Sequence, residues 1–485
     1  MRKKFSGPTH TNSFVFVYID ESFVSREVLS SEISGLDLSV AEDACFYFLR
    51  YGFVPPPLTI YSNLVCLPVG LDLEVDEDKK SFHFSNNFRF VAKNSRENSV
   101  PDLEVLRLKI RESVEKTLSS DTCNILLQSG GKDSTVLVEA LSHFKGKYSL
   151  KCMTYEADFR DKESYVAQSI SKHYGLNHET IRPDYELEFC LLKKHYSMKN
   201  ALLSADYTLP AYLHLLSSST NSNVIDGLGN DMYMGYIGTK IEAFLKYFNL
   251  SRFQKFEPSK LTNNEFVNYG ISTIFMTSEE RMFPGTKLSV REISKLTALP
   301  LVSDFSRFIS AIARNYDLDD SKASVRARFC DLGLFQMKGL QSAMCTGNTI
   351  NFPFGNQGIF EYYFGLPKEL RYSKKKRVNK IFLRSLINTF DVDKTYINRK
   401  SGFRYNMESF ISSNAEEIRN ILKDSKFLFS GLQDFLDAHL GRLNYISAAK
   451  IYIILTFALW FESNSSKKRV KSHLASGFFL SDLEN

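Results

Sequence analysis

The sequence lacks the cysteine pattern of a disulfide framework or a zinc site. Seven cysteines are spread singly along 485 residues, and no two of them form a CxxC pair. A dispersed, odd number of cysteines is typical of a reducing compartment. The sequence also lacks the pattern of a signal peptide, because the basic residues 2–4 are not followed by an apolar segment. We therefore expect a cytoplasmic protein.

The sequence has no strong excess of charge of one sign and no long apolar run. It carries 61 Lys and Arg against 55 Asp and Glu, which gives a formal net charge of +6. The basic run at 374–377 is typical of a solvated face or a phosphate-facing rim, so a nucleic acid partner is not favoured. The apolar stretch 451–461 is too short to span a bilayer and predicts a buried helix. These observations indicate a globular chain long enough for two or three domains.

Short apolar runs alternate with helical patterns in the middle of the chain. Helices are predicted at 134–144 and 162–174, and Gly175 is a residue type that commonly follows the last helical turn. Strands that alternate with helices predict an α/β fold with a parallel, doubly wound sheet covered on both faces. The predicted strands are 124–127, 150–155, 178–181 and 223–226.

The two flanking regions differ from this middle part. Before residue 100, strand patterns at 14–19 and 64–73 predict a small β-rich domain. After about residue 240 the strand signals fade and helical patterns prevail. The predicted domains are therefore 1–100, 101–240 and 241–485, with the α/β core in the middle and a mostly helical C-terminal part.

The strongest chemical signal is a six-residue run between the first predicted strand of the core and its helix. It reads Ser129-Gly130-Gly131-Lys132-Asp133-Ser134. Glycine lets the backbone approach an anion closely, and the N-terminus of the next helix presents free N–H groups. Asp133 would repel a bare phosphate, so its presence implies a Mg²⁺ ion between the two. The alternative is a Gly-Gly turn in which Asp or Ser caps the helix. The spacing differs from that of a Walker A loop.

This run resembles the SGGxDS loop (PP-loop) of the N-type ATP pyrophosphatases, which split ATP into AMP and pyrophosphate while adenylating an acceptor. Further segments resemble, in order, the synthetase domain of the asparagine synthetase-like family. These segments are GLGND at 227–231 followed by Gly235-Tyr236, Pro353-Phe354 with Leu366-Pro367, the KxxLR match at 380–384 and the KxGF match at 400–403. The likeness covers about residues 41 to 462. It implies a fold similar to that of the adenine nucleotide alpha hydrolases.

The resemblance implies a role for each matching residue. Asp133 and Asp231 would hold Mg²⁺ on the ATP phosphates, from two loops that face each other. Lys380 would be the catalytic cation at the acyl-adenylate, where negative charge grows on the phosphate oxygens; the alternative is an exposed lysine in a basic stretch. Glu163 and Asp206 fall near acids of the family, with surface charge as an equal alternative. The expected ATP-binding residues are Ser129, Gly130, Gly131, Lys132, Asp133, Ser134, Met153 and Gly227.

The sequence also departs from the family at several positions. The glutaminase nucleophile of the family is a cysteine directly after the initiator methionine, and Arg2 stands there in this sequence. The N-terminal region is much shorter than a glutaminase domain, so we expect a truncated remnant without glutamine-hydrolysing activity. The family's glutamate in the second loop is Leu228, which cannot accept a proton, and the second acid is Met232. Lys132 fills a position that is usually apolar in this branch and is lysine in tRNA-thiolating and sugar-amidating relatives.

Three functions stay open at this point. The favoured one is a ligase that uses ATP and Mg²⁺ to adenylate a small-molecule or peptide carboxylate and forms an amide, in a natural-product, peptide or sugar pathway. The sequence does not identify the amine donor, which is free ammonia, an intramolecular amine or a partner protein. A homo-oligomer is compatible with the sequence, and no membrane partner is expected. The second function is a tRNA- or nucleotide-modifying enzyme, for which Cys330 and Cys345 are only loosely placed. The third is a binding protein that has lost the chemistry.

Overall fold

The computed structural model describes most of the chain. The described residues are 1–8, 14–86, 100–157, 162–234, 288–299, 325–373, 375–394, 405–425, 431–441 and 443–476, with residues 267, 270, 271, 274–276, 281, 283, 397 and 403 between them.

The described residues before 87 form two small antiparallel sheets and a buried helix. One sheet has the strand order β1-β6-β7 and the other β3-β2-β5. The predicted strand region 14–19 contains β2, and the region 64–73 contains β5 and the first three residues of β6. The elements are β1 (Arg2–Phe5), β2 (Val15–Ile19), β3 (Ser25–Val28), β4 (Val40–Ala41), α1 (Glu42–Tyr51), β5 (Leu64–Leu67), β6 (Leu71–Asp76) and β7 (Ser81–Asn86).

Five parallel strands form the central sheet, in the order β10-β9-β8-β11-β12. The strands are β8 (Asn124–Leu127), β9 (Leu150–Tyr155), β10 (Asn177–Ile181), β11 (Asn223–Ile225) and β12 (Thr349–Asn351). The helices before and between them are α2 (Leu103–Glu115), α3 (Lys132–Ser142), α4 (Glu163–His173), α5 (Tyr185–Ser197) and α6 (Leu209–Ser217). The predicted α/β class with a parallel sheet is confirmed. The edge strand β12 was missed, because three residues are too few to show a periodic pattern.

The sheet is covered on both faces, as the alternation of side chains along its strands shows. Successive strand residues point to opposite faces. Ile125, Met153 and Val224 belong to one core, which also contains residues from the first part of the chain and from the long C-terminal helix. Leu126 and Cys152 belong to a second core, built with α2 and α3.

The described C-terminal part is mostly helical. A π-helical segment, Arg326–Gln336, runs directly into the helix that follows it. Three two-residue strands are also present, and β15 pairs in parallel with β4. The helices are α7 (Asp231–Met234), α8 (Val290–Leu296), α9 (Met337–Thr346), α10 (Gln357–Phe364), α11 (Lys368–Arg371), α12 (Ile381–Asn388), α13 (Met407–Ser413), α14 (Ala415–Asp424), α15 (Leu432–Leu440) and α16 (Tyr445–Asn464), and the strands are β13 (Tyr372–Ser373), β14 (Val378–Asn379) and β15 (Arg469–Val470).

Helix α16 is long and apolar enough to cross a membrane by length and composition, but most of it is buried inside the protein. Its first turn is capped by the Asn444 side chain, which accepts hydrogen bonds from two backbone N–H groups of that turn. Near its end, the indole of Trp460 is fully buried and donates to the backbone carbonyl of Ala201 at 2.9 Å. The prediction of a buried helix is confirmed, whereas its predicted length was too short.

Candidate active site

The six-residue run 129–134, here called the glycine loop, lies at the carboxyl end of the central strand β8. The loop is held by its own serines: the Ser129 and Ser134 hydroxyls lie 3.0 Å apart, and the Gly131 N–H donates to the Ser129 hydroxyl at 3.1 Å. Gly131 is the N-cap of α3, and no side chain caps this helix. The first N–H groups of α3 therefore have no side-chain cap, an arrangement that suits an anion; the predicted phosphate site there stays a prediction.

Glu163 lies at the same loop. Its side chain is buried, and its carboxylate accepts a hydrogen bond from the Gly130 N–H at 3.3 Å. The sequence left this residue undecided between a site acid and surface charge. The structure places it at the loop, where its carboxylate fixes the backbone of Gly130.

Three distant parts of the chain meet at Lys380. Its ammonium donates to Asp133 Oδ2 at 2.6 Å and to Asn230 Oδ1 at 2.8 Å. The side chain is buried, so the alternative of an exposed lysine in a basic stretch is excluded. Lys380 also has a left-handed backbone, with φ of 55°, at the start of α12. A non-glycine residue in this conformation is uncommon and is held by its surroundings.

Two further cationic side chains, Lys132 and Arg384, lie near the glycine loop. The half-buried Lys132 ammonium donates to the Ile397 carbonyl at 3.1 Å. Burial, and then the positive charge of Arg384, lowers the pKa of Lys132 to about 8. Burial likewise lowers the pKa of the Arg384 guanidinium. The loop therefore has positive charge beside it as well as free backbone N–H groups.

The second loop, residues 227–231, packs against the glycine loop. A Cβ added at Gly227 would lie 3.5 Å from the Asp133 Cβ, so the two loops are in contact. Gly229 has φ of 101°, a backbone conformation that strongly favours glycine. Asp231 begins α7 directly after Asn230, which contacts Lys380. The Asp231 side chain lies outside the described residues, so the facing of the two carboxylates stays a prediction. Several predicted motif residues also lie outside them: the Met232 side chain, Gly235, Tyr236, Lys400, Ser401 and Gly402.

Two buried polar atoms beside Lys380 have no hydrogen-bond partner in the part of the chain that the structure describes. They are Asp133 Oδ1 and Asn230 Nδ2. A buried carboxylate oxygen without a protein partner has the chemistry to bind a cation. No group of three His, Cys, Asp or Glu that could hold a metal occurs among the described residues. Mg²⁺ does not need such a group, because it binds through one or two carboxylates together with substrate phosphates.

A cavity of about 1030 Å³ extends from the glycine loop into the protein. Single ligand pockets usually measure about 300–1000 Å³, so this cavity is large enough for a nucleotide and a second substrate. Beside the loop its wall contains Met153, Leu127 and Tyr155, which offer an apolar surface. Phe403 of the predicted KxGF segment meets the Tyr155 ring edge-on, with the centroids 5.8 Å apart.

Another part of the cavity wall, here called the polar end of the cavity, carries Lys338, Asp206, Tyr212 and Asp226. Of these residues the sequence singled out only Asp206 as a site candidate. The buried Lys338 ammonium donates to Thr208 at 2.7 Å and to Asp206 at 3.3 Å. It also lies 4.6 Å from the centre of the Tyr212 ring, close enough for a cation–π contact. Asp226 accepts a hydrogen bond from the Tyr212 hydroxyl at 2.7 Å. Lys338, Tyr212 and Asp226 match no motif, so only the fold brings them together.

A parallel sheet whose glycine loop leads into an uncapped helix N-terminus is the architecture of the nucleotide-binding α/β proteins. Comparison with known families makes the assignment specific, because the asparagine synthase family model matches residues 105–462. This chain belongs to the asparagine synthase family, and its general chemistry is that of an ATP-dependent amide-forming ligase. The resemblance predicted from the motifs is confirmed.

A curated relative is also similar over most of the chain. Asparagine synthetase (glutamine-hydrolyzing) 1 of Bacillus subtilis (strain 168) is 20% identical over 490 residues. The alignment spans 94% of this chain and 74% of the relative.

Proposed function

We propose that this protein adenylates a carboxylate with ATP, releases pyrophosphate and transfers the acyl group to a nitrogen nucleophile. The observation that carries this proposal is the contact of Lys380 with both Asp133 and Asn230. This contact brings the KxxLR segment, the glycine loop and the second loop to one corner of the cavity. Such a convergence of loops at the carboxyl end of a parallel sheet is where α/β proteins bind their ligands.

The phosphates would lie on the N-terminus of α3. There the N–H groups are uncapped, and Lys132 and Arg384 add positive charge. Met153, Leu127 and Tyr155 would contact the base, because an apolar wall suits a flat ring system. The fold that we propose for this site is the adenine nucleotide alpha hydrolase-like, doubly wound sheet.

Asp133 fits a Mg²⁺ ligand, because its Oδ1 is buried and has no partner among the described residues. Asp231 would be the second ligand, at the start of α7. A magnesium ion held there would neutralise charge on the triphosphate.

Lys380 would act on the reacting phosphate. Its buried ammonium stands at the cavity wall, where a cation stabilises the negative charge that grows on the phosphate oxygens. In a partly dry site this stabilisation is larger than in water.

The acyl substrate would occupy the polar end of the cavity, near Lys338 and Asp206. We propose a small-molecule or peptide carboxylate from a natural-product, peptide or sugar pathway in the cytoplasm. Leu228 on the cavity wall makes the pocket more apolar than a glutamate would, which favours a substrate other than aspartate. The amine donor and the oligomeric state are left open.

Sulfur transfer to tRNA finds no support in the positions of the cysteines. Cys330 is buried, and burial raises the pKa of the Cys345 thiol, so neither is an activated thiolate.

The test is an assay of purified protein with ATP, Mg²⁺ and a panel of carboxylic acids, with ammonium or glutamine as the amine source. Release of AMP and pyrophosphate that depends on the acid is the expected result. ADP and orthophosphate in place of these products would contradict the proposal, and so would nucleotide cleavage that requires tRNA.

A further inference from the structure

The second loop of this protein has lost one acid and carries another nearby. The family's glutamate is replaced by Leu228, so this position cannot accept a proton. Two residues earlier stands Asp226, directly after strand β11 and next to Gly227. Both Asp226 and Leu228 line the cavity. A carboxyl group is therefore still present at this turn, although at a different position.

The Asp226 carboxylate is held by neutral donors. The Tyr212 hydroxyl donates to Oδ2 at 2.7 Å, and the Leu228 N–H donates to Oδ1 at 3.2 Å. An ionised carboxylate accepts about four hydrogen bonds. With two donors described, the Asp226 carboxylate keeps acceptor capacity for a ligand in the cavity.

The backbone next to Asp226 also reaches the glycine loop. Its neighbour Gly227 contacts the Asp133 side chain, at the start of the helix that carries the glycine loop. Hence the carboxyl group lies one residue away from the contact between the two loops. A nucleophile that approached an acyl-adenylate on the glycine loop from the polar end of the cavity would pass it.

Of the other four carboxyl groups among the described lining residues, three are paired with a cationic side chain, and the fourth, Glu163, is bound to the backbone of the glycine loop. Asp133 is paired with Lys380, and Asp206 with Lys338. Glu163 accepts the Gly130 N–H of the loop. Asp331 lies 3.7 Å from the Arg326 guanidinium. A carboxylate held by a cation is a poor proton acceptor, because the ion pair favours its charged form.

We propose that Asp226, oriented by the Tyr212 hydroxyl, accepts the proton that the nitrogen nucleophile loses when it attacks the acyl-adenylate. This inference rests on the proposed function. The neutral amine nitrogen forms a bond to the acyl carbon, and the bond from that carbon to the AMP oxygen breaks. The bonding pair leaves with AMP, and the proton of the positively charged nitrogen moves to Asp226 and then to solvent. The products are the amide, AMP and one proton.

The surroundings of Asp226 suit this role. Burial raises its pKa, while the Tyr212 hydrogen bond and the charge of Lys338 partly oppose the rise. A base with a raised pKa transfers protons more effectively near neutral pH. Asp226 faces the Tyr212 hydroxyl of α6 and the charge of Lys338 of α9. The negative charge of Asp206 raises the pKa of Tyr212 further. The pKa of Tyr212 lies well above its ordinary value, mainly through burial, so the phenol stays a neutral donor.

The experiment separates the two half-reactions of the intact protein, using an acid that supports pyrophosphate release in the unmodified protein. ATP–pyrophosphate exchange measures adenylation, and amide formation with ammonium chloride measures transfer. In Asp226→Asn we expect exchange within a few-fold of the unmodified protein and transfer lowered by about 100-fold or more. Tyr212→Phe should lower transfer by a smaller factor, and Asp226→Glu should restore part of it.

The pH profile gives a readout that a structural role would not move. The transfer rate of the unmodified protein should fall on the acid side as Asp226 becomes protonated, above the ordinary range of an aspartate because the pKa is raised. Asp226→Asn should lack this acid limb. Tyr452→Phe is the matched control, because its buried hydroxyl has no hydrogen-bond partner among the described residues and does not line the cavity.

Each outcome bears on a different statement. If no acid supports pyrophosphate release in the unmodified protein, the proposed function fails and this inference with it. If release occurs but Asp226→Asn transfers as fast as the unmodified protein, only the role of Asp226 is wrong. An equal loss of exchange and transfer in a folded Asp226→Asn protein would also overturn it. Should that variant not fold, a Tyr212→Phe protein with an unchanged transfer rate and pH profile would have the same consequence.

Discussion

The Lys380 ammonium lies 2.6 Å from the Asp133 carboxylate, although the two residues are 247 positions apart in the chain. Asp133 is in the first turn of α3, and Lys380 stands at the start of α12. The ion pair is partly buried, so it is screened less by salt than a surface pair. It ties the glycine loop to the C-terminal part of the site.

Lys380→Ala should slow the chemical step more than it weakens ATP binding. In the proposed mechanism this buried cation stabilises charge that develops in the transition state, and loss of one such group typically lowers kcat by about 100- to 1000-fold. The measurement is kcat for pyrophosphate release together with the Kd of ATP. Lys375→Ala, which removes an exposed lysine from the same basic stretch, should leave both values unchanged. Equal losses in kcat and in ATP affinity would contradict the role given to Lys380.

Asp133→Asn should abolish Mg²⁺-dependent turnover without unfolding the protein. The amide has nearly the same size and still accepts a hydrogen bond from Lys380, but it lacks the charge that holds a magnesium ion. Turnover across a Mg²⁺ titration and the Tm are the two readouts, with exposed Asp121→Asn as the control. A variant that keeps the unmodified rate at low Mg²⁺ would show that Asp133 is not a ligand.

Lys132→Met should raise the thermal stability of the nucleotide-free protein at pH 7 and weaken ATP binding. The pKa of Lys132 is lowered to about 8 from 10.5, chiefly by burial, so charging this amine opposes folding. Between these two pH values the unfolded chain binds more protons than the folded one. The stability contribution of Lys132 therefore rises with pH across this window. Lys132 is only partly buried, which reduces the size of the effect.

The Tm difference between Lys132→Met and the unmodified protein should accordingly shrink as the pH is raised from 8 to 10.5. Melting curves at several pH values measure it. A difference that grows with pH would mean that the environment of Lys132 stabilises its charged form.

Asn444→Ala should destabilise the fold by about 1 kcal/mol, because it removes the side chain that caps α16. The single tryptophan of the chain, Trp460, is fully buried in the same helix and reports unfolding through its fluorescence. A shift of the denaturant midpoint measures the loss. Ser465→Ala, at the exposed C-terminal end of α16, is the control and should leave the midpoint nearly unchanged.

The parts of the fold that follow local rules were predictable from the sequence. Strand β8, the glycine loop and α3 follow one another within about twenty residues, and apolar periodicity with two glycines is enough to predict them. Gly175 ends α4 with φ of 67°, as its position after the helical pattern predicted.

The polar end of the site was beyond local rules. Tyr212, Asp226 and Lys338 lie on different elements, and only tertiary packing brings them together. The segment Arg326–Gln336 is π-helical. Its residues therefore do not follow the 3.6-residue repeat by which α-helices are predicted from a sequence. Lys380 was recognised through its motif, whereas its left-handed backbone was visible only in the structure.

Tyr51 and Gly52, at the end of α1, are part of the cavity wall, and the Ala205 N–H donates to the Gly52 carbonyl at 2.7 Å. In a shortened chain that starts at residue 101, the cavity would therefore be exposed to bulk water on the side that Tyr51 and Gly52 cover. Under the proposed function, hydrolysis of the adenylated acid would then compete with amide formation. Biochemical work on this protein thus calls for the whole polypeptide, since residues before 101 form part of the cavity wall.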